Sequence, residues 1–322
     1  MTVRAPRVPT HLVAWLPLLI TMIVWGVTYA LTRHAVQNVG AIPAAMLRFG
    51  LGSLVLLGAL AIADRGVPRV PTGMGRRLIA GGLLGVAFYN VLFFGGLALA
   101  PAIDAAALMP VTTPIATAAL AFVLTRERPR RARVLGLLLG VCGAALFLAS
   151  AQPDAETPHR LLGDLVLMAA AVVWGIYTIV GRPLMAAGGP MRTTTWVVAT
   201  GTVVLIAIGL PVAAGSGIDW AAQPADLWLA ILFLGAISTG IGYSFYYRGI
   251  RDLGPTSAAL AMLLLPLTGA VASILLLGES LAPLQVAGSL VMAAGAVIAI
   301  LAAPSPVPAQ AAPAPDGARP SA

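Results

Sequence analysis

The chain has 322 residues, of which 59% are hydrophobic and only 9% charged, and its mean hydropathy is +0.95. So little charge cannot cover a soluble domain of this size, where charged residues make up about a quarter of the composition; the main solvent is lipid rather than water. The net charge of +8 resides on 19 arginines with no lysine, and it reads as positive charge kept on the cytoplasmic side of a membrane rather than as a nucleic-acid footprint, so no nucleic-acid partner is expected.

In chain order, Arg4 and Arg7 precede an apolar run from Leu12 to about Leu31. At about 20 residues it is long enough to span, and no small-residue cleavage site follows it closely, so it is expected to be a first span rather than a signal peptide. Apolar runs place spans at 12–32, 43–63, 78–98, 104–124, 133–150, 161–180, 194–214, 227–247, 256–277 and 283–302. This predicts an all-α polytopic membrane protein of ten transmembrane helices. Residues 1–11 form a cytoplasmic N-terminal segment, 12–150 and 161–302 two five-helix units, and 151–160 a linker. The Pro- and Ala-rich tail at 303–322 has little to bury and is predicted to be disordered.

With the N-terminus inside, 16 of the 19 arginines fall on the cytoplasmic side, Arg33 and Arg160 fall on the other, and Arg48 lies within the second span. That asymmetry puts both termini in the cytoplasm and favours an even span count. The setting expected is a bacterial inner (cytoplasmic) membrane. Cys142, the single cysteine, sits in an apolar run, so neither an intrachain disulfide nor a Cys-based metal site is possible. His11, His34 and His159 lie near helix ends, and the Glu156/His159 pair reads as a solvated loop, so no metal site or cofactor is expected.

The two units repeat one another. Trp25, within a VWG triplet, recurs as Trp174 in a second VWG, and Arg33 recurs as Arg182, both at an offset of 149. Pro114, Glu127, Gly136 and Gly143 recur as Pro266, Glu279, Gly288 and Gly295 at an offset of 152. An odd number of spans per unit inverts the second copy, a pattern found in transporters whose substrate site lies between the halves.

On these residues the chain resembles the drug/metabolite transporter superfamily in its ten-span form with two EamA-type repeats. The resemblance rests on Trp25–Gly26, Trp174–Gly175, Leu47–Arg48–Phe49, and the stretches AALMPVTTPIATAALAFVLTRE and AALAMLLLPLTGAVASILLLGES. The glycine-spaced last span of each half completes it, and it covers about residues 12–302. Two departures stand out: Thr-Arg-Glu where the family usually has glycine before the glutamate, and no arginine in the seventh span to match Arg48. Within the superfamily, the aromatic content resembles the aromatic amino-acid exporter branch known as YddG.

Candidate substrate-binding residues follow from what is expensive inside a bilayer. Arg48 either snorkels to the interface as an anchor or meets substrate or a gate. Tyr89, Asn90, Phe93 and Phe94 share one flank of the third span, where they line a ligand site or pack with Asn90 as polar glue. Trp25, Tyr29, Trp174 and Tyr177 occupy paired first spans and flank a cavity or simply pack. In the eighth span Tyr243 and Ser244 are read as cavity-lining, and Tyr246 and Tyr247 as an interfacial belt beside Arg248. Pro110, Pro114 and Pro266 bend their helices and free carbonyls. Glu127 and Glu279 suit a helix N-terminus, and Asp104 is open to either role.

No carboxylate is expected well inside a span, which favours facilitated movement over proton antiport, with Asp104 keeping antiport open. The expected function is alternating-access export of amino acids, aromatic or other neutral, by a monomer or homodimer whose partners are a small-molecule substrate and membrane lipid. A proton-coupled drug/metabolite antiporter is the alternative. A channel or a membrane enzyme would be of another class, and no HExxH or GxSxG supports catalysis.

Overall fold

The computed structural model describes residues 10–125, 131–150, 157–253, 257–258 and 261–301, and every element among them is helical. Residues 1–9, Glu127 and the tail after 301 lie outside the described residues. Leu, Ala and Val dominate the helices, and a chain in lipid must satisfy its backbone within each segment, which only a helix does for a single strand of chain.

The first half comprises α1 (Thr10–Val39), α2 (Ala41–Asp64), α3 (Gly75–Leu99), α4 (Ala102–Thr125) and α5 (Arg131–Ser150). The second comprises α6 (Arg160–Gly188), α7 (Pro190–Gly215) and α8, which runs through Ala225–Leu232, Phe233–Ile241 and Gly242–Leu253. It ends with α9 (Leu265–Leu277, entered through a 3₁₀ turn at Met262–Leu264) and α10 (Pro283–Leu301). Among the described residues, six helices are long and apolar enough to cross a membrane, and shorter apolar helices lie at Val134–Ser150, Met262–Leu277 and Pro283–Ala299. Large apolar side chains such as Leu54, Ile62, Val203 and Leu275 point outward, as a lipid-facing surface requires.

Two helices outrun their apolar runs. α1 continues to Val39 because Arg33 turns inward and donates to the Leu97 carbonyl, while His34 meets Asp226 at 3.4 Å. α6 likewise continues to Gly188. In each case a single glycine with positive φ, Gly40 (80°) or Gly189 (75°), turns the chain directly into the next helix. A side chain is strained in that region and glycine is not. The two glycines are 149 residues apart, the same offset as the tryptophans.

α3 and α8 each contain a π-helical stretch, Leu83–Phe88 and Phe233–Ile241. The π-helical stretch of α8 presents the Ser238 carbonyl to α1, where it accepts the indole N–H of Trp25 at 3.1 Å. Thr28 and Ser238 hydroxyls meet alongside at 2.8 Å, pinning α1 to α8.

Backbone-to-backbone contact at glycine draws the helices together. A Cβ on Gly136 would lie 2.7 Å from the Gly295 carbonyl and the Ala299 nitrogen, and one on Gly143 would lie 2.7 Å from the Gly288 carbonyl. The crossed order of these pairs makes α5 and α10 antiparallel. α2 packs on α7 through Gly209 against Met46 and through the Thr202 hydroxyl, which donates to the Phe49 carbonyl at 3.2 Å. α1 packs on α9 through Gly26 against Thr268, and α6 on α4 through Gly175 against Thr117. The main core, including Phe49, Phe94, Leu167, Leu205 and Leu234, lies where α2, α3, α6, α7 and α8 meet.

Gly136→Leu is expected to lower the melting temperature of the detergent-solubilised protein by about 5 °C or more, because backbone atoms rather than mobile side chains occupy the space. Gly58→Leu, with nothing within 4 Å of its Cβ position, is expected to leave it unchanged.

Candidate functional site

Aromatic side chains spaced three or four residues apart on α1, α3 and α6 meet at the centre of the bundle. Tyr29 reaches Phe93 edge-on at 6.0 Å between ring centroids, and Phe93 stacks on Tyr89 at 5.8 Å. Tyr89 meets Trp174 at 4.8 Å, and Trp174 meets Tyr177 at 5.3 Å. A continuous run of rings therefore joins the first helix of one half to the first helix of the other through α3. On the other side of α1, Trp25 meets Tyr243 at 5.5 Å and Tyr246 at 5.0 Å. Tyr246 is half-buried and packs on Trp25, its hydroxyl 3.6 Å from the Met262 sulfur; the Tyr247 side chain is outside the described set.

Arg48 of α2 lies among these rings. Its guanidinium carbon is 5.1 Å from the Phe49 ring centroid and 5.9 Å from that of Phe94, within cation–π range. Nη1 donates to the Thr32 hydroxyl at 3.3 Å, and the buried Nε meets no acceptor. Tyr29, Tyr89 and Tyr243, from three other helices, are close enough to feel its charge. Among the described residues no carboxylate pairs with it. The side chain turns into the bundle instead of snorkelling outward. Trp25, Tyr29, Arg48, Tyr89, Trp174 and Tyr243 all remain half-buried, whereas Phe93, Phe94 and Tyr177 are buried.

The other sequence candidates do not join this cluster through their polar atoms. Asn90 is buried and donates to the Val86 carbonyl of its own helix at 2.7 Å. Ser244 donates to the Gly240 carbonyl of its own helix at 3.1 Å. Pro110 and Pro114 lie inside α4. Pro266 stands at the second position of α9, directly after helical Ala261 and the 3₁₀ turn at Met262–Leu264, so the helical hydrogen-bond pattern changes just before it.

A second constellation lies where α1 stops and α4 and α6 begin. Glu279, in the connection between α9 and α10, accepts the Ala102 and Ile103 N–H groups at 2.8 and 2.7 Å. It is a helix-terminus carboxylate as expected, but the helix it caps is α4, in the other half of the chain. Burial raises the Glu279 carboxyl above the usual range, and those two N–H groups and Arg33 pull it back. Arg160 grips Asp104 with both arms, Nε to Oδ2 at 2.6 Å and Nη2 to Oδ1 at 2.8 Å. Asp164, wholly buried one turn further along α6, faces the same group. Position along the helix alone does not single out Asp164. The signal it carries is the Arg160/Asp164 spacing of four, which puts both on one face. Asp104 and Asp164 stand in the first two turns of their helices, near the span ends, and are nonetheless both 0% exposed, so their burial comes from packing and not from depth. At the opposite end of the bundle, Arg192 and Asp64 tie α7 to α2 in a half-exposed pair at 2.5 and 2.8 Å.

Comparison with known proteins gives one family over nearly the whole chain. The model of the EamA-like transporter family matches residues 13–149 and 161–301. The chain is 28% identical over 293 residues to the uncharacterized transporter YyaM of Bacillus subtilis, covering 90% of this chain and 94% of that one. It is 26% identical over 282 residues to a probable terminal-alkyne amino-acid exporter of Streptantibioticus cattleyicolor, covering 87% and 91%. A crystal structure of a protein 21% identical in sequence shares the fold, with a TM-score of 0.60 over 90% of this chain and 96% of that one.

Glu279→Ala removes both capping bonds and is expected to destabilise the protein by about 1–2 kcal/mol, read as a lowered unfolding midpoint in detergent. Glu279→Gln, which keeps an acceptor oxygen, is expected to recover part of that loss.

Proposed function

The chain belongs to the EamA-like transporter family, and on that premise we propose that it is a secondary carrier that exports amino acids, aromatic or other neutral, by alternating access. It is a multi-pass membrane protein. The reading rests above all on Arg48, a cation held among aromatic rings with one hydroxyl partner and no carboxylate opposite it among the described residues. A substrate carboxylate supplies the missing anion, and a buried charge-assisted bond of this kind is the strong one in such a site. A flat side chain finds ring faces at Tyr89 and Trp174 on one side and at Trp25 and Tyr243 on the other. The amino-acid exporter among the relatives adds support.

In this proposal the ten helices are ten crossings in two inverted five-helix units, 12–150 and 161–302, with both termini cytoplasmic in a bacterial inner membrane. The glycine joints at Gly40 and Gly189 and the π-helical stretches of α3 and α8 support that relation, since each pair recurs at nearly the same offset as the tryptophans. Substrate sits between the halves, and rocking of one half against the other exposes it to each side in turn.

With the purified protein, an aromatic amino acid is expected to raise the melting temperature, while its carboxyl amide, lacking the anion, leaves it unmoved. Arg48→Ala is expected to weaken binding about 30-fold or more. Equal shifts from acid and amide would sink the assignment of Arg48. For topology, a green fluorescent protein fused after Ala322 is expected to fluoresce and an alkaline phosphatase fused there to be inactive; an active phosphatase would reverse the orientation.

A further inference from the structure

The buried acidic group at the junction of α1, α4 and α6 takes no part in the site around Arg48. Arg160 is committed to Asp104 by two bonds of 2.6 and 2.8 Å. Asp164 stands within hydrogen-bonding reach of Asp104. It is 0% exposed, and neither of its oxygens meets a donor. A buried carboxylate without a donor or counter-ion is strongly disfavoured, and two that share a site cannot both ionise.

The charged neighbours relieve it only in part: Arg160 acts on Asp164 through its charge, but its Nε and Nη2 bonds go to Asp104. From the α9–α10 connection, Glu279 adds a third carboxylate, with its oxygens on Ala102 and Ile103. From α1, Arg33 donates to the Leu97 carbonyl and offsets the charge of Glu279. His159, at the start of α6, is exposed to solvent. Three carboxylates against two guanidinium groups leave one negative charge in excess, and a single bound proton cancels it. Among the described residues no three ligating groups converge to hold a metal ion.

We propose that Asp104 and Asp164 bind one proton between them and that this proton lets this end of the bundle close. The proposal rests on the carrier reading and adds a coupled ion to it. With the pair protonated, the cluster is neutral and α4, α6 and the α9–α10 connection hold together. With the pair ionised, one uncompensated charge remains in the interior, and admitting water is its relief. Opening therefore releases a proton to the outer solution and closing takes one up. Because the closed form binds the proton more tightly, closure is favoured as outer pH falls and disfavoured as it rises.

The test uses the full-length protein in liposomes without substrate. It is treated with a hydrophobic carbodiimide, which reacts with protonated buried carboxyl groups, across about pH 5 to 9, and the adducts are located by mass spectrometry. Adducts on the Asp104/Asp164 pair are expected at neutral pH, fading as pH rises. In Asp104→Asn, where Arg160 is released to pair with Asp164, labelling of Asp164 is expected to fall at least about tenfold. No adduct on either residue at any pH, or Asp164 labelling unchanged by Asp104→Asn, overturns the proposal. Should that variant not fold, the pH profile of the unaltered protein decides. Labelling needs no substrate, so this result stands or falls apart from the transport reading, which rests on substrate binding and flux.

Discussion

A guanidinium inside a helix bundle is tolerable only when something answers its charge, and the arrangement around Arg48 follows from that constraint. One hydroxyl, two ring faces and three nearby phenols answer it in part. What remains is the unanswered charge that the proposed function assigns to a substrate anion. The contrast lies within the same molecule. Arg160 is also buried, but Asp104 takes both its arms, and such a fully paired group has structural work and little left for a ligand.

The scaffold that holds Arg48 in place is built from residues with little or no side chain. Gly136 and Gly143 let α5 and α10 touch backbone to backbone, and Gly26 and Gly175 admit Thr268 and Thr117. Apolar burial gives little preference between helix and lipid in a membrane, so close approach and directed hydrogen bonds decide which helices meet. The Trp25 bond to the Ser238 carbonyl is one such bond, and it also fixes the plane of a ring in the aromatic cluster. Packing and site are therefore coupled at α8, whose π-helical stretch supplies the acceptor.

The helices lie where the apolar runs lie, since composition alone decides what enters lipid. Their ends were legible only where charge stays outside. α1 overruns its predicted end because Arg33 turns inward, a choice made by a carbonyl on α3 that no local pattern announces. The aromatic residues were legible as a set, because Trp25, Tyr29, Trp174 and Tyr177 stand at helical spacing in paired positions. Which ring meets which was not legible. Glu279 announced itself as a helix-terminus carboxylate, yet its helix is about 177 residues away in sequence, beyond any local rule. Asp164 was hidden because burial depends on which way a helix face turns, not on how far along the helix a residue sits. The paired glycines Gly40 and Gly189 were readable from their shared offset of 149.

Carriage by a site that opens to one side at a time is tested most directly by counterflow. Protein in liposomes loaded with excess unlabelled aromatic amino acid is diluted into a trace of the labelled compound. An alternating-access carrier gives transient accumulation of label above its outside concentration, with a rate that saturates as substrate rises. Label that only equilibrates, at a rate linear in concentration and indifferent to the internal load, would contradict it.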